Sequence, residues 1–305
     1  MHTGTKEKTR VDSPRAQRMR LAQEVTRLRE TKGLSQLELA QEAGFKSRYA
    51  VQALESGELK PNLGHVLQIV EALGIDQDTE EWREFHRVAR AAARKGWWDE
   101  RGYKQMGDRQ RAWADLELGA SLRSYEHTLV PGLLQTEQYY RDLNVRVGEE
   151  ADEKFDPEVG VAGRLERQRQ FQQGDGTLSV VIEEIALQHL FVARATMQAQ
   201  LEHLAEVADT DRIQIRVIPT RVEVELRGVR APRVAFTVFS RPSAKDPDIV
   251  LLEGIDEDNI HVEPERVRTY VRLYERLADA ALPPKDSAAY LARLAGELNP
   301  GRQNP

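Results

Sequence analysis

Apolar residues recur at helical spacing through the first hundred positions, and each run is bounded by a capping or breaking residue. Over residues 15–31 the stripe is Leu21, Val25 and Leu28, with Ser13 as cap, Pro14 in the first turn and Gly33 beyond the end. Arg18, Arg20, Arg27 and Arg29 fall mostly outside that stripe. Residues 34–57 read LSQLELAQEAGFKSRYAVQALESG and predict two short helices around a tight turn. Ser35 and Glu38 form an S-x-x-E capping box, Leu34, Leu39 and Ala43 face inward, small Ala40 permits a close crossing, and Gly44 ends the first helix. The second is expected from about Ser47 to Ser56, with Gly57 as its C-cap, Val51 and Leu54 inward, and Arg48, Tyr49 and Gln52 outward. Asn62 caps a further helix whose inward residues are Leu63, Val66, Leu67, Val70 and Leu73, closed by Gly74. Residues 76–98 continue as a linking helix through Trp82, Phe85, Val88 and Ala89.

Beyond residue 100 the pattern mixes periods. Residues 116–125 and 136–143 are expected to be helices with a turn at Val130, Pro131 and Gly132 between them, followed by an Arg-rich helix over 156–172. Alternating or β-branched runs predict strands over 178–182, 212–218, 233–240 and 249–253. Helices over 184–190, 197–208, 263–280 and 287–298 complete the pattern. The expected architecture is an all-α five-helix head over 15–75, preceded by a basic arm over 1–14. A linker helix over 76–98, a larger α+β domain over 99–298 and a tail over 299–305 follow.

Charge sharpens this division. Residues 1–75 hold 12 basic and 9 acidic side chains, against 32 and 41 in the remainder, and residues 1–32 alone hold 9 against 4. A basic N-terminal region beside a helix–turn–helix pattern suits a polyanion, whereas the acidic remainder does not. The 305 residues contain no cysteine, which excludes disulfides, thiolate metal sites and thiol catalysis. With no apolar run near eighteen residues and a polar start, a soluble cytoplasmic protein is expected.

A short helix with a polar, basic outer face, set after a glycine turn, is shaped for a DNA major groove. An ordinary helical hairpin is the plainer alternative. In the DNA reading, Arg48 suits a bidentate contact with guanine, Gln52 with adenine, and Tyr49 a thymine methyl or a phosphate. Gln36 and Asn62, at helix N-termini, suit phosphates, and Lys46, Ser47, Lys60 and Arg18 are generic backbone contacts. A lone Arg or Lys of this kind is as readily a solvated surface residue.

The string Leu34-Ser35-Gln36, Leu39-Ala40, Ala43-Gly44, then Leu54-Glu55, Gly57 and Pro61 resembles the signature of phage-repressor-like (XRE) helix-turn-helix domains. One residue more than that family's usual spacing lies between Gly44 and Gly57, placed in the Phe45-Lys46-Ser47 turn. Farther on, Gly96-Trp97-Trp98-Asp99 and residues 129–136, LVPGLLQT, resemble actinobacterial regulators that join such a head to a large C-terminal domain of unknown function. The resemblance implies a transcriptional regulator that binds double-stranded operator DNA as a homodimer. It also implies an antitoxin-like role alongside a small acidic partner protein. A protein-interaction module that neutralises such a partner is the alternative it leaves open.

Enzymatic readings are weaker. Glu183, Glu184 and Glu253 at strand ends offer carboxylates for acid–base work, although a solvated acidic face explains them more simply. His189, His203 and His261 are scattered, no nucleophile elbow, phosphate loop or zinc motif occurs, and no cofactor or metal is expected. Trp97 and Trp98 could stack on a ligand, but such pairs more often pack at a domain junction, and the Val130-Pro131-Gly132 turn is read as structural.

Overall fold

Ser13 caps the first helix of the head. Its hydroxyl accepts the Ala16 N–H at 3.0 Å and Pro14 takes the first helical position, launching α1 (Pro14–Thr31). The computed structural model describes residues 12–147, 155–221, 223–224, 230–255 and 257–299, so most of the expected basic arm and of the tail lies outside the described residues. The chain divides into two compact units, Met1–Gly96 with Ser243–Asp246, and Trp97–Pro242 with Pro247–Pro305.

In the first unit, α2 (Gln36–Glu42) starts with the expected capping box. Ser35 Oγ accepts the Glu38 N–H at 3.2 Å, and the Glu38 carboxylate accepts the Ser35 N–H at 2.7 Å. After the Gly44 turn come α3 (Tyr49–Ser56), α4 (Leu63–Ala72), capped by Asn62, and α5 (Glu80–Ala92), capped by Thr79. Leu21, Val25, Leu39, Ala40, Val51, Leu54, Val66 and Val70 close on one core. Gly57 ends α3 at φ 66, a left-handed conformation that side chains rarely adopt, and a Cβ there would just touch Met19 Cα and Ala22 Cβ at 3.4 Å, so α3 packs closely on α1.

Three expectations change. Residues 80–92 do not merely link: Phe85, Val88, Ala89 and Ala92 are buried in this same core, so the head extends past its expected end at residue 75. Leu63 is exposed as the first residue of its helix, and Ile69, in step with Val66 and Val70, is buried in its place. Arg20 and Arg29 are mostly buried rather than solvated. Arg20 reaches Glu84 at 2.5 Å and Asp246 at 3.2 Å, and the Gln17 amide donates to Asp246 at 3.0 Å.

The second unit opens with two 3₁₀ turns, Trp97–Asp99 and Arg101–Tyr103, then α6 (Asp108–Glu117). It is built on one six-stranded mixed sheet of order β3-β2-β1-β4-β5-β6. The strands are β1 (Ser121–Glu126), β2 (Leu178–Glu183), β3 (Ile213–Ile218), β4 (Phe236–Ser240), β5 (Ile249–Leu252) and β6 (Asn259–His261). The β1–β2 and β2–β3 pairs are parallel, and their crossovers carry α7 (Glu137–Val147) with α8 (Pro157–Gln173), then α9 (Glu184–Gln188) with α10 (Arg194–Val207). The remaining pairs are antiparallel. Two helices follow, α11 (Pro264–Ala280) and α12 (Pro284–Leu298). Through Val267, Leu273, Tyr274 and Leu277, α11 covers the sheet face made by Tyr125, Val181, Phe236, Val238 and Val250. Ser287 of α12 accepts the Val217 N–H of β3 at 3.0 Å.

The expected helix over 116–125 is wrong beyond its first two residues. Gly119 turns the chain at φ 68, and residues 121–126 become the central strand β1, with parallel β2 on one side and antiparallel β4 on the other. Ser124 and Glu126 are buried there, and these polar residues hid the strand pattern. The three residues of β6 were missed altogether, being too short to carry a period. Most of α6 (Asp108–Glu117) had no counterpart in the expected pattern, and the helix expected over 76–98 is confined to Glu80–Ala92; the remaining strands and helices fall within a few residues of expectation. Among the described residues, no helix is long and apolar enough to cross a membrane.

Hydrogen bonds from Arg87 and Arg20 hold the Glu84 carboxyl down at about 2. A depressed carboxyl stabilises the fold above its ordinary value of 4.5, and that contribution is lost as pH falls towards 2. Glu84→Gln should therefore lower unfolding stability near neutral pH by about 1–2 kcal/mol, allowing for the carboxylate's partial exposure. Denaturant titrations at stepped pH should show the difference from wild type shrinking between pH 5 and 3; a gap constant with pH would contradict this assignment.

Candidate nucleic-acid interface

The eight residues of α3 are divided between packing and presentation. Val51 and Leu54 are buried against α1, α2 and α4, while Tyr49 is 68% exposed and Arg48 and Gln52 are also exposed. The helix starts two residues later than expected. Ser47 lies in the turn, and Arg48 is the N-cap residue, at φ −67 and ψ −9, with no side-chain cap bond. Arg48 therefore projects from the N-terminal end of α3, where unpaired backbone N–H groups also favour an anion. Within the turn, Phe45 donates its N–H to Ala40 at 2.8 Å and packs edge-on against His65 at 4.9 Å, which anchors the segment holding the extra residue.

A buried ionic clamp fixes how α3 is set. Arg29 of α1 donates from Nε to Glu55 Oε1 at 2.6 Å and from Nη2 to Oε2 at 3.2 Å; its Nη1 also reaches the Leu34 carbonyl at 2.8 Å. Gln36, the first residue of α2, donates to Glu55 Oε2 at 2.7 Å. Glu55 in the last turn of α3 thus binds α1 and α2 together, with its side chain 7% exposed. Sequence reasoning placed Gln36 on a phosphate and gave Glu55 no role, whereas the Gln36 side-chain N–H is used internally.

The remaining expected contacts differ in availability. Lys46, Ser47, Lys60 and Asn62 are exposed, and the Asn62 carbonyl already caps α4 through the His65 N–H at 3.2 Å. Arg18 is half-buried and donates to the Ala92 carbonyl at 3.5 Å, within the unit.

Residues 25–76 match the helix-turn-helix family model, and residues 110–293 match the domain of unknown function DUF5753. The chain belongs to the DUF5753 family. Among curated proteins nothing matches, and nothing matches among solved structures.

The DUF5753 match spans all six strands, and the Gly-Trp-Trp-Asp string lies just before it. Trp98 is buried with Met106 and Ala114, and Trp97 stands edge-on to both Trp98 and Tyr103. The pair therefore packs inside the second unit. Val130 is buried, and its segment is held by side-chain amides: Gln135 donates to the Val130 carbonyl at 2.7 Å, Gln168 to the Gln135 carbonyl at 2.7 Å, and Gln200 to the Leu134 carbonyl at 2.8 Å. Pro131 begins the 3₁₀ turn, and Gly132 lies against the Arg164 guanidinium, with which a Cβ would collide. The three carboxylates named from sequence do not converge. Glu183 accepts the Tyr125 hydroxyl at 2.9 Å, Glu184 accepts Thr220 N–H at 2.8 Å, and Glu253 lies near Arg109 at 3.5 Å.

Removing one partner from a buried pair leaves the other charge uncompensated. Glu55→Ala should cost about 3 kcal/mol of unit stability, with Arg29→Ala similar and the double variant well below their sum. Urea unfolding followed by helical circular dichroism checks this; additive losses would show that the clamp is not one coupled unit.

Proposed function

We propose that this chain is a sequence-specific transcriptional regulator that binds double-stranded DNA by laying α3 in the major groove. The observation that carries the reading is the two-sided α3. Val51 and Leu54 and the Glu55 clamp fix its inner side, while Arg48, Tyr49 and Gln52 stand outward together. In this arrangement Arg48 and Gln52 read base edges, and Lys46, Ser47, Lys60 and the N-terminus of α4 at Asn62 meet phosphates. Gln36 contributes its backbone N–H alone.

One two-turn helix touches too few base pairs for selectivity, so the regulator acts as a homodimer on half-sites about 34–36 Å apart. The DUF5753 domain supplies the contact between copies and receives the controlling signal, in the cytoplasm. Its size beyond what dimerisation needs supports a sensing role.

A salt-series binding assay on DNA from its own promoter region, with Arg48→Ala beside wild type, tests the reading. The substitution should cost about 1–3 kcal/mol on the specific site and little on random DNA. Equal weak binding by both proteins, governed only by salt, would overturn base reading by α3.

A further inference from the structure

The loop that joins β4 to β5 is longer than a hairpin needs. Residues 241–248 separate two antiparallel strands in which Phe239 pairs with Ile249, whereas about two to five residues commonly close such a turn. The added length has a destination, because Ser243–Asp246 belong to the same compact unit as the head. The loop leaves the sheet at Arg241, a buried residue that donates to the Leu116 carbonyl of α6 at 2.8 Å. Pro242 and Pro247 flank the four residues and fix one backbone angle on each side. Ser243 closes the turn, its carbonyl accepting the Asp246 N–H at 3.0 Å and its hydroxyl the Lys245 N–H at 3.3 Å.

Asp246, at the end of this turn, is where the loop becomes part of the head. Loop tips are ordinarily solvated, yet its side chain is only 3% exposed. Its Oδ1 accepts the Gln17 amide at 3.0 Å and Arg20 Nη1 at 3.2 Å, both from α1. Arg20 also donates to Glu84 of α5 at 2.5 Å, and Glu84 accepts Arg87 Nε at 2.8 Å, so one polar network joins α1, α5 and the loop. Gln17 is fully buried, and withdrawing Asp246 would leave its amide and one arm of Arg20 without their acceptor. A residue 229 positions away in sequence therefore supplies a partner that α1 is built to meet. α1 is also the helix whose Arg29 clamps Glu55 of α3. The element that seats the loop is thus the element that aims the outward face of α3.

We infer that residues 241–248 form a coupling strap by which the DUF5753 sheet regulates the head. With Asp246 seated, α1 and α5 are held together and α3 keeps its aim; with Asp246 withdrawn, the head loosens and binds DNA more weakly. Seated and withdrawn are two discrete states, as a switch requires, because an intermediate position would leave the carboxylate, the Gln17 amide and the Arg20 arm buried and unbonded. Coupling of this kind is reciprocal, so a change made in the head must also be felt where the strap joins β4 and β5. The effect on DNA binding rests on the proposed function, but the coupling itself is measured without DNA. A failure of the strap and a failure of DNA recognition are therefore read separately.

Hydrogen–deuterium exchange of the full chain, read by mass spectrometry, tests the strap on Arg20→Gln, Asp246→Asn and Lys245→Ala. The first two should each speed exchange in α1 and α5 by about tenfold or more, and should also speed it in β4 and β5, with β2 and β3 unchanged. Lys245 is exposed and 4.0 Å from Glu84, so its replacement should leave exchange as in wild type. In a slack strap, with Gly-Gly inserted after Pro242 and again after Pro247, Asp246 can still seat at a cost of about twofold in loop closure. There Arg20→Gln should still loosen α1 and α5 but no longer reach β4 and β5. If Arg20→Gln does not fold, Asp246→Asn carries the same expectations at both strap lengths. Unchanged exchange in α1 and α5, unchanged exchange in β4 and β5 at the natural length, the same response of β4 and β5 in the slack strap, or an equal effect of Lys245→Ala would each overturn the coupling.

Discussion

The Glu55 carboxylate governs how the outward face of α3 is aimed. Apolar contacts through Val51 and Leu54 hold the helix against its neighbours, but such contacts are non-directional and would tolerate some rotation about its axis. The fork from Arg29 and the amide from Gln36 arrive from two other helices and fix that rotation. Successive helix residues are about 100° apart, so a slip of one residue would carry Arg48 and Gln52 away from a groove and present Ala53 instead. A buried ion pair adds little net stability over a well-packed apolar pair. Its value here is directional, and the base reading proposed for α3 would need that direction.

The same division between packing and chemistry recurs in the sheet. On one face β1 offers Tyr125 to the core beneath α11, and on the other it offers the hydroxyl of Ser124 and the carboxyl of Glu126. The strand is central and paired on both sides, so its backbone is fixed independently of those polar side chains. A rigid central strand can carry a costly buried carboxyl that a loop could not hold in place.

Legibility in the sequence followed the locality of the signals. Caps such as Ser13, Ser35, Asn62 and Asp156 act within three residues, and all four start helices where the pattern placed them. The start of α3 was misplaced because Arg48 caps it without a side-chain bond, leaving no local mark. Arg20 and Arg29 read as surface residues because their partners, Glu84, Asp246 and Glu55, are remote in sequence. Glu126 was lost with the strand that carries it: a buried serine and glutamate break apolar alternation, so the stretch was assigned to a helix. Glu253 was grouped with Glu183 and Glu184, from which the fold separates it, since Glu183 lies on the face that α11 covers and Glu253 on the other.

The glycine and the amides of residues 129–136 bear on both readings of that segment. Gln135, Gln168 and Gln200 satisfy its carbonyls, which is structural work, and it holds an otherwise irregular loop in one conformation. Gly132 differs, since its missing side chain makes room for the Arg164 guanidinium rather than for a backbone turn, and its φ is not among the positive values. Tyr140 on one side and Gly132 on the other leave Arg164 little freedom, so any charge that pairs with it is met by a guanidinium already oriented. A loop ordered by three amides and hollowed by one glycine is thus shaped around the Arg164 guanidinium as much as around its own backbone.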